Sequence, residues 1–267
     1  MSYAHRFGLT HLPFHRDLDS TQLFRVEELD ELHARLRFLV EHRALGVLTG
    51  EPGCGKSTAL RRLRDDLHPE QVRILYLSDT LGSARELCAS IALELGIEPC
   101  QSRVRMLRDI QHEIQRLAVE RRLDVLLLID EAQGLRNDVL TLLPQLRNFQ
   151  WDQRPPLALL LAGQTGLRQK LRLAHLEALD QRVTLRYHLR GLDREQTEAY
   201  LLHRLRLAGV DRPLFAADAF EALHIATAGI MRRIDGLAHQ AMALAATQGE
   251  QAIDAEHVRQ AAREQRG

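Results

Sequence analysis

The sequence predicts an α/β domain built on a parallel sheet, followed by a small all-helical domain. Three observations predict it. A glycine-rich loop, Gly50-Glu51-Pro52-Gly53-Cys54-Gly55-Lys56-Ser57, stands between a short apolar run and a helical pattern. Two further runs, Val125 to Ile129 and Leu157 to Ala162, are wholly aliphatic, as strands buried on both faces are. From Leu189 onward the strand signal stops and only helical spacing remains. The 267 residues suit one large domain or two modest ones. The reading gives a lead-in over 1–25, an α/β domain over 26–188 and a helical lid over 189–267.

The lead-in mixes Phe7, Leu9, Leu12, Pro13, Phe14 and Phe24 with polar residues. Either it packs on the core, or Phe7 to Phe14 wraps the adenine of a nucleotide held by the loop that follows. Val26, Leu29, Leu32, Leu36, Leu39 and Val40 recur at helical spacing and predict a helix over 26–43. Leu45-Gly46-Val47-Leu48-Thr49 reads as a buried strand.

The loop itself fits G-x-x-x-x-G-K-[ST], the P-loop pattern. Its glycines let backbone N–H groups turn inward around phosphate oxygens, and the following helix adds its positive N-terminal end. Gly50 to Thr58 would therefore wrap the phosphates of ATP. Lys56 would reach the β- and γ-phosphates, and Ser57 would ligate Mg²⁺. A chance glycine turn would not need the strand before it and the helix after it. Of 36 basic residues only Lys56 and Lys170 are lysine. A chain that otherwise uses arginine keeps a compact point charge where a phosphate loop needs one.

The loop helix runs to about Leu67, and Val72 to Leu77 predicts a second strand. Helices follow over 83–95 and 103–122, separated by Gly96-Ile97-Glu98-Pro99. Leu123 to Ile129 is the third strand, and Asp130-Glu131 closes it. Carboxylates at the C-terminal end of such a strand lie where open α/β sheets bind ligands. With a P-loop upstream, this is a Walker B arrangement: Asp130 for the Mg²⁺ shell, Glu131 to orient and polarise the attacking water. Leu157 to Ala162 leads into Gly163-Gln164-Thr165. Gln164 either touches the γ-phosphate or the lytic water, or caps a helix. A short helix over 176–182 and a fifth strand over 183–187 end the domain.

Asp193-Arg194-Glu195-Gln196 predicts a capping box opening a helix through Leu207. Helices over 218–227, 230–247 and 254–264 follow, punctuated by Gly209, Pro213, Gly229 and Gly249.

Composition narrows the function. Acidic and basic residues balance at 36 each, so only a local basic surface would serve nucleic acid. Aromatics at 4% argue against a base-stacking platform. Cys54, Cys88 and Cys100 share no metal spacing, and an odd count without a signal peptide points to a reducing cytosol. The sequence has no apolar run of about 18 residues and no secretory leader in its first residues. It is therefore expected to be cytoplasmic and free of membrane.

These motifs together resemble the AAA+ ATPases, a P-loop α/β domain followed by a helical lid. In detail they are similar to ATPases of the general secretion pathway protein A type. The likeness lies in Phe7-Gly8-Leu9 with Pro13-Phe14, Ile129-Asp130-Glu131-Ala132-Gln133 and Ala162-Gly163-Gln164 before Leu167-Arg168. It continues in Leu179-Asp180-Gln181-Arg182, Tyr187-His188-Leu189, Arg204-Leu205 with Ala208-Gly209, and Gly229-Ile230-Met231-Arg232-Arg233-Ile234. The resemblance implies Gln164 as sensor 1 and Arg182 as an arginine finger acting on a neighbouring subunit's nucleotide. It implies Arg232 as sensor 2 on the γ-phosphate. Met231 stands where relatives often have proline, which leaves Arg233 a rival. Arg182, Arg186 and Arg190 also fit a single solvated face.

Secretion-type members continue into a membrane helix, whereas this sequence stops at Gly267. Its build then resembles stand-alone regulators of transposition, such as phage Mu B and transposon C-type proteins. That resemblance implies a homo-oligomer, ring or helical filament, assembled with ATP on double-stranded DNA and recruiting a DDE transposase. Arg103, Arg105 and Arg108, clustered at a loop-to-helix junction, are candidate backbone contacts, or simply solvated. The alternatives are a secretion- or assembly-related protein-remodelling ATPase without DNA, and a signalling switch with little turnover.

Overall fold

A computed structural model describes residues 3–15, 19, 22–78, 82–149 and 155–265. The parts of the expected lead-in at 1–2, 16–18 and 20–21 lie outside the described residues. The chain divides into two compact units. One comprises Met1–Glu27, Glu51–Gly55 and Arg190–Gly267, and the other Glu28–Gly50 and Lys56–Leu189. In chain order the first helix, α1 (Tyr3–Phe7), belongs to the former, the helical unit.

The other unit is built on five parallel strands: β1 (Leu45–Gly50), β2 (Val72–Leu77), β3 (Asp124–Ile129), β4 (Leu157–Gly163) and β5 (Leu185–Leu189). They lie in the order β2-β3-β4-β1-β5. Burial follows position. β1 and β4 are buried throughout and β3 beyond its first residue, as central strands covered on both faces must be. The edge strands β2 and β5 are only partly buried, and Tyr76 of β2 is exposed.

Helices α2 (Glu27–Glu41), α3 (Lys56–Asp66), α4 (Ala84–Leu95) and α5 (Arg103–Glu120) stand within two residues of the spacing-based expectation. Leu29, Leu32, Leu36, Leu39 and Val40 form the buried stripe of α2. Ser83 and Ser102 cap α4 and α5 through bonds from Glu86 and Arg105 backbone N–H groups.

The structure departs from the sequence reading in three places. An unforeseen α6 (Asn137–Leu146) buries Val139, Leu140, Leu142, Leu143 and Leu146, with Pro144 in its last turn. An unforeseen α7 (Gly166–Leu171) follows β4. The expected helix over 176–182 shrinks to α8 (Glu177–Asp180), and the expected strand at 183–187 moves to 185–189. The cause is a turn: Arg182 and Val183 N–H groups donate to Leu179 and Asp180 carbonyls, and sheet pairing starts only with Thr184 N–H to Leu45 O.

The helical unit contains α1, α9 (Arg194–Leu207), α10 (Ala217–Thr227), α11 (Met231–Gln248) and α12 (Ala255–Glu264). Leu201, Leu205, Leu223, Ile234, Ala241, Met242 and Val258 meet in its core. The Asp193–Gln196 capping box forms as expected, and Asp254 with His257 makes another on α12. Phe7, 1% exposed, is part of this core. Thr10 N–H donates to Ala208 O at 2.9 Å.

Buried Arg204 holds the segment that follows. Its Nε donates to Pro13 O at 2.9 Å and its Nη2 to His15 O at 2.6 Å. Its Nη1 meets Tyr200 Oη at 3.2 Å and Asp235 Oδ2 at 3.6 Å, and Tyr200 Oη donates to Asp235 Oδ1 at 2.9 Å. Burial pushes the Asp235 carboxyl up to about 6 against the lowering pull of Arg204. Burial, then the Asp235 charge, raises the Tyr200 hydroxyl.

Candidate functional site

The glycine loop leaves the C-terminal end of β1 and opens α3. Gly53 and Gly55 have φ of +86° and +107°, the region that side chains other than glycine's rarely enter. Lys56 is buried, and its ammonium donates to Gly50 O at 2.8 Å, so the loop folds around it. Ser57 is exposed in the first turn of α3, with half-buried Thr58 beside it.

At the end of β3, Asp130 is 7% exposed. Its Oδ1 accepts from Glu131 N–H at 2.9 Å and its Oδ2 from Tyr76 Oη at 3.2 Å. Burial, then the charges of Asp130 and Glu131, raises the Tyr76 hydroxyl, so it stays a donor to Asp130. Glu131 has φ +51° and ψ +33°, a left-handed conformation unusual for a non-glycine residue. Such outliers are held by their surroundings and gather at functional sites.

β4 lies between β1 and β3, with Gly163 paired to Thr49 and Leu161 to Ile129. Gln164, one residue beyond β4, therefore stands between the loop and the carboxylates. Its Nε2 lies 3.4 Å from Glu131 Oε2. Its backbone N–H donates to Gln133 Oε1 at 2.9 Å, and Gln133 Nε2 donates to Glu131 Oε2 at 2.5 Å.

Arg182 is elsewhere. β5 runs parallel to β1, with Leu185 paired to Gly46, so Arg182 precedes the N-terminal end of the sheet. A six-residue strand, about 20 Å long, separates that level from Gly50 and Lys56. The Arg182 side chain is exposed and has no hydrogen bond or ion pair among the described residues. Arg186, by contrast, is tied to Asp180, by an ion pair at 2.9 Å and a bond to its carbonyl at 2.6 Å. The nearby Arg147 donates to Leu157 O and Arg43 O. Burial, then the Arg182 charge, lowers its pKa.

Within the helical unit, which includes the loop tip Glu51–Gly55, Arg232 N–H donates to Gly53 O at 3.2 Å. A Cβ on Gly53 would lie 2.5 Å from Arg232 Cβ, so glycine lets this stem approach. Arg233 N–H instead closes on Ile230 O. Arg103, Arg105 and Arg108 are exposed at the start of α5. Arg73, early in β2, donates to Glu94 O near the end of α4, and Arg85, at the start of α4, donates to Gln101 at 2.9 Å, so the start of α5 lies toward the C-terminal end of β2. Arg105 also pairs with Asp109 at 3.7 Å. The sequence reading assigned no role to Tyr76 or Gln133. Gln133 stood in the stretch already singled out, while Tyr76 gave no signal beyond its place in a strand.

The family model for the AAA domain matches residues 37–171. The chain belongs to the AAA domain family. It is accordingly a P-loop ATPase that binds nucleotide and hydrolyses ATP. Over 255 residues it is 34% identical to the general secretion pathway protein A of Aeromonas hydrophila, covering 94% of this chain and 46% of that relative. It thus spans about half the length of the curated relative it matches. Among solved structures it is similar to Cdc6p of Pyrobaculum aerophilum, with a TM-score of 0.68 at 20% identity over 94% of this chain and 70% of that one. It is also similar to the Aeropyrum pernix ORC1 protein in complex with DNA, with a TM-score of 0.64 at 18% identity over 92% of this chain and 68% of that one. At those identities the likeness is one of fold. No helix among the described residues is long and apolar enough to cross a membrane.

Proposed function

We propose that this AAA domain ATPase turns over at interfaces between its own copies, and that the assembly loads on double-stranded DNA. The position of Arg182 carries the first half. Its guanidinium stands a strand's length from the loop of its own chain, so the phosphate it stabilises belongs to another copy. Hydrolysis then reports assembly, whether as ring or filament.

The residues suit the chemistry. Gly50 to Thr58 wrap the phosphates, with Lys56 as point charge. Ser57 and Asp130 offer the oxygen donors that Mg²⁺ takes, and two protein ligands suffice where phosphates and water complete the shell. Ser57 and Asp130 would hold Mg²⁺, which would supply charge neutralisation for the phosphates. Glu131 orients the attacking water and accepts its proton, and Gln164 helps place that water. Arg232 lays its stem along Gly53 and serves as the sensor on the γ-phosphate; the backbone contact favours it over Arg233.

DNA loading is supported by the exposed Arg103, Arg105 and Arg108 near the carboxylate-bearing end of the sheet, and by the DNA complex of the similar Aeropyrum protein. Contacts of this kind are salt-sensitive and weakly selective for sequence. A DDE transposase is the client we favour, from the resemblance to transposition regulators. The Aeromonas relative supports a second reading, a secretion-related remodelling ATPase whose client is a protein.

ATPase rate and particle assembly, with and without double-stranded DNA, test this in wild type and Glu131→Gln. ATP and DNA together should give particles that the variant traps. Unchanged rate and assembly with DNA at low salt would remove the DNA reading and leave the secretion-related one.

A further inference from the structure

We infer that Gln133 is a positioning residue for ATP hydrolysis, fixing the Glu131 carboxylate against the end of β4. The inference rests on the general-base role proposed above for Glu131 and adds how that base is held. Gln133 sits in the single turn Ala132–Gly134 that follows the carboxylate pair. Its two amide atoms face different partners. Oε1 accepts from Gln164 N–H at 2.9 Å, and Nε2 donates to Glu131 Oε2 at 2.5 Å. The amide cannot be reversed, because that would set NH₂ against N–H and a carbonyl oxygen against a carboxylate.

Three features hold the amide there. β4 ends in Gly163, and a Cβ at that position would lie 2.6 Å from Gln133 Oε1 and 3.2 Å from its backbone nitrogen. Lys170, the second of the chain's two lysines, donates from α7 to Gln133 O at 3.2 Å and also to Leu135 O. Glu131 itself is in the left-handed region, with its N–H bound to Asp130 Oδ1. Gln133 and Gln164 therefore both engage Oε2, which leaves Oε1 without a hydrogen-bond partner among the described residues. Oε1 is the oxygen available to a water's proton. Because Gln133 also binds the backbone of Gln164, the base and the end of β4 move as one.

The test uses the full chain at saturating ATP. Gln133→Leu keeps a similar bulk, one bond shorter, and removes both hydrogen bonds. It should lower kcat about 10- to 100-fold, less than the whole contribution of a general base, with KM for ATP within about twofold. In a Glu131→Gln background the same change should cost nothing further, since a base already removed cannot be misplaced. Gln133→Glu retains the acceptor for Gln164 N–H and is nearly isosteric, so it remains informative if the leucine variant misfolds. Its optimum should move to lower pH than wild type, where a protonated Glu donates again. A Gln133→Leu enzyme within twofold of wild-type kcat overturns the inference. So does a loss that multiplies in the Glu131→Gln background, or an unshifted pH optimum in Gln133→Glu. Wild-type turnover in Glu131→Gln alone would instead overturn the base role on which the inference stands.

Discussion

The two units put their polar groups to different uses. In the sheet unit the core cluster is apolar, and the site residues stand at or beyond strand ends, with Lys56 and Asp130 buried there, Gln164 half-buried, and Glu131 and Arg182 exposed. In the helical unit a charged group is inside: Arg204, 5% exposed, with Tyr200 and Asp235 around it and the carbonyls of Pro13 and His15 as acceptors. The difference teaches which residues carry function and which carry the fold. An exposed group beyond a strand end, such as Arg182, can be removed without opening the core. A buried guanidinium that holds a chain segment cannot, because its removal leaves carbonyls and a carboxylate unpaired.

The contrast can be broken at both ends. Arg182→Ala should lower turnover on the order of 10³-fold, as loss of an arginine finger does, with an unchanged unfolding midpoint. Mixing it with Glu131→Gln should restore measurable activity, because mixed interfaces combine an intact Arg182 with an intact Glu131. Two inactive variants that stay inactive when mixed would place Arg182 outside the reaction. Arg204→Ala should instead cost about 3 to 4 kcal/mol in urea unfolding, the range for breaking a buried charge pair. A midpoint like that of wild type would mean the trio does not hold the helical unit.

Asp235 sharpens the same contrast through pH. Its carboxyl titrates at about 6 when folded, against an ordinary value near 4. The folded state therefore binds more protons in that window. The stabilising contribution is complete below about pH 4 and is lost as pH rises through about 6. At about 1.4 kcal/mol per pH unit the change is roughly 3 kcal/mol, read as the difference between wild type and Asp235→Asn in unfolding at pH 4 and pH 7. Equal slopes in the two proteins would show that Arg204 already compensates the burial. The smallest effect belongs to a surface cap. Asp193→Ala removes the side-chain half of the α9 capping box and should cost about 1 kcal/mol.

Much of this architecture was legible in the sequence because it is local. The aliphatic runs of β3 and β4 could only be buried strands, and Leu29 to Val40 could only face a core at helical spacing. Helix α6 was not legible, because Pro144 interrupts a pattern that the buried Val139, Leu140 and Leu143 nonetheless complete. β5 starts two residues late because the Val183 N–H is taken by a turn, a competition that propensity does not register. The lead-in's aromatic residues were legible as apolar but not as partners of α9, since Arg204 reaches Pro13 across 191 positions.

By itself the sequence determined the phosphate loop and the carboxylate pair. Both are made from residues adjacent along the chain, so covalent spacing alone fixes their geometry. Tertiary structure decided what surrounds them. Strand order set β4 between β1 and β3 and so brought Gln164 to Glu131 and Gln133. Parallel pairing of β5 with β1 set Arg182 at the far end of the sheet from the loop. Neither placement is written in local spacing, because hydrogen bonding between strands distant in sequence is chosen by burial of the whole sheet.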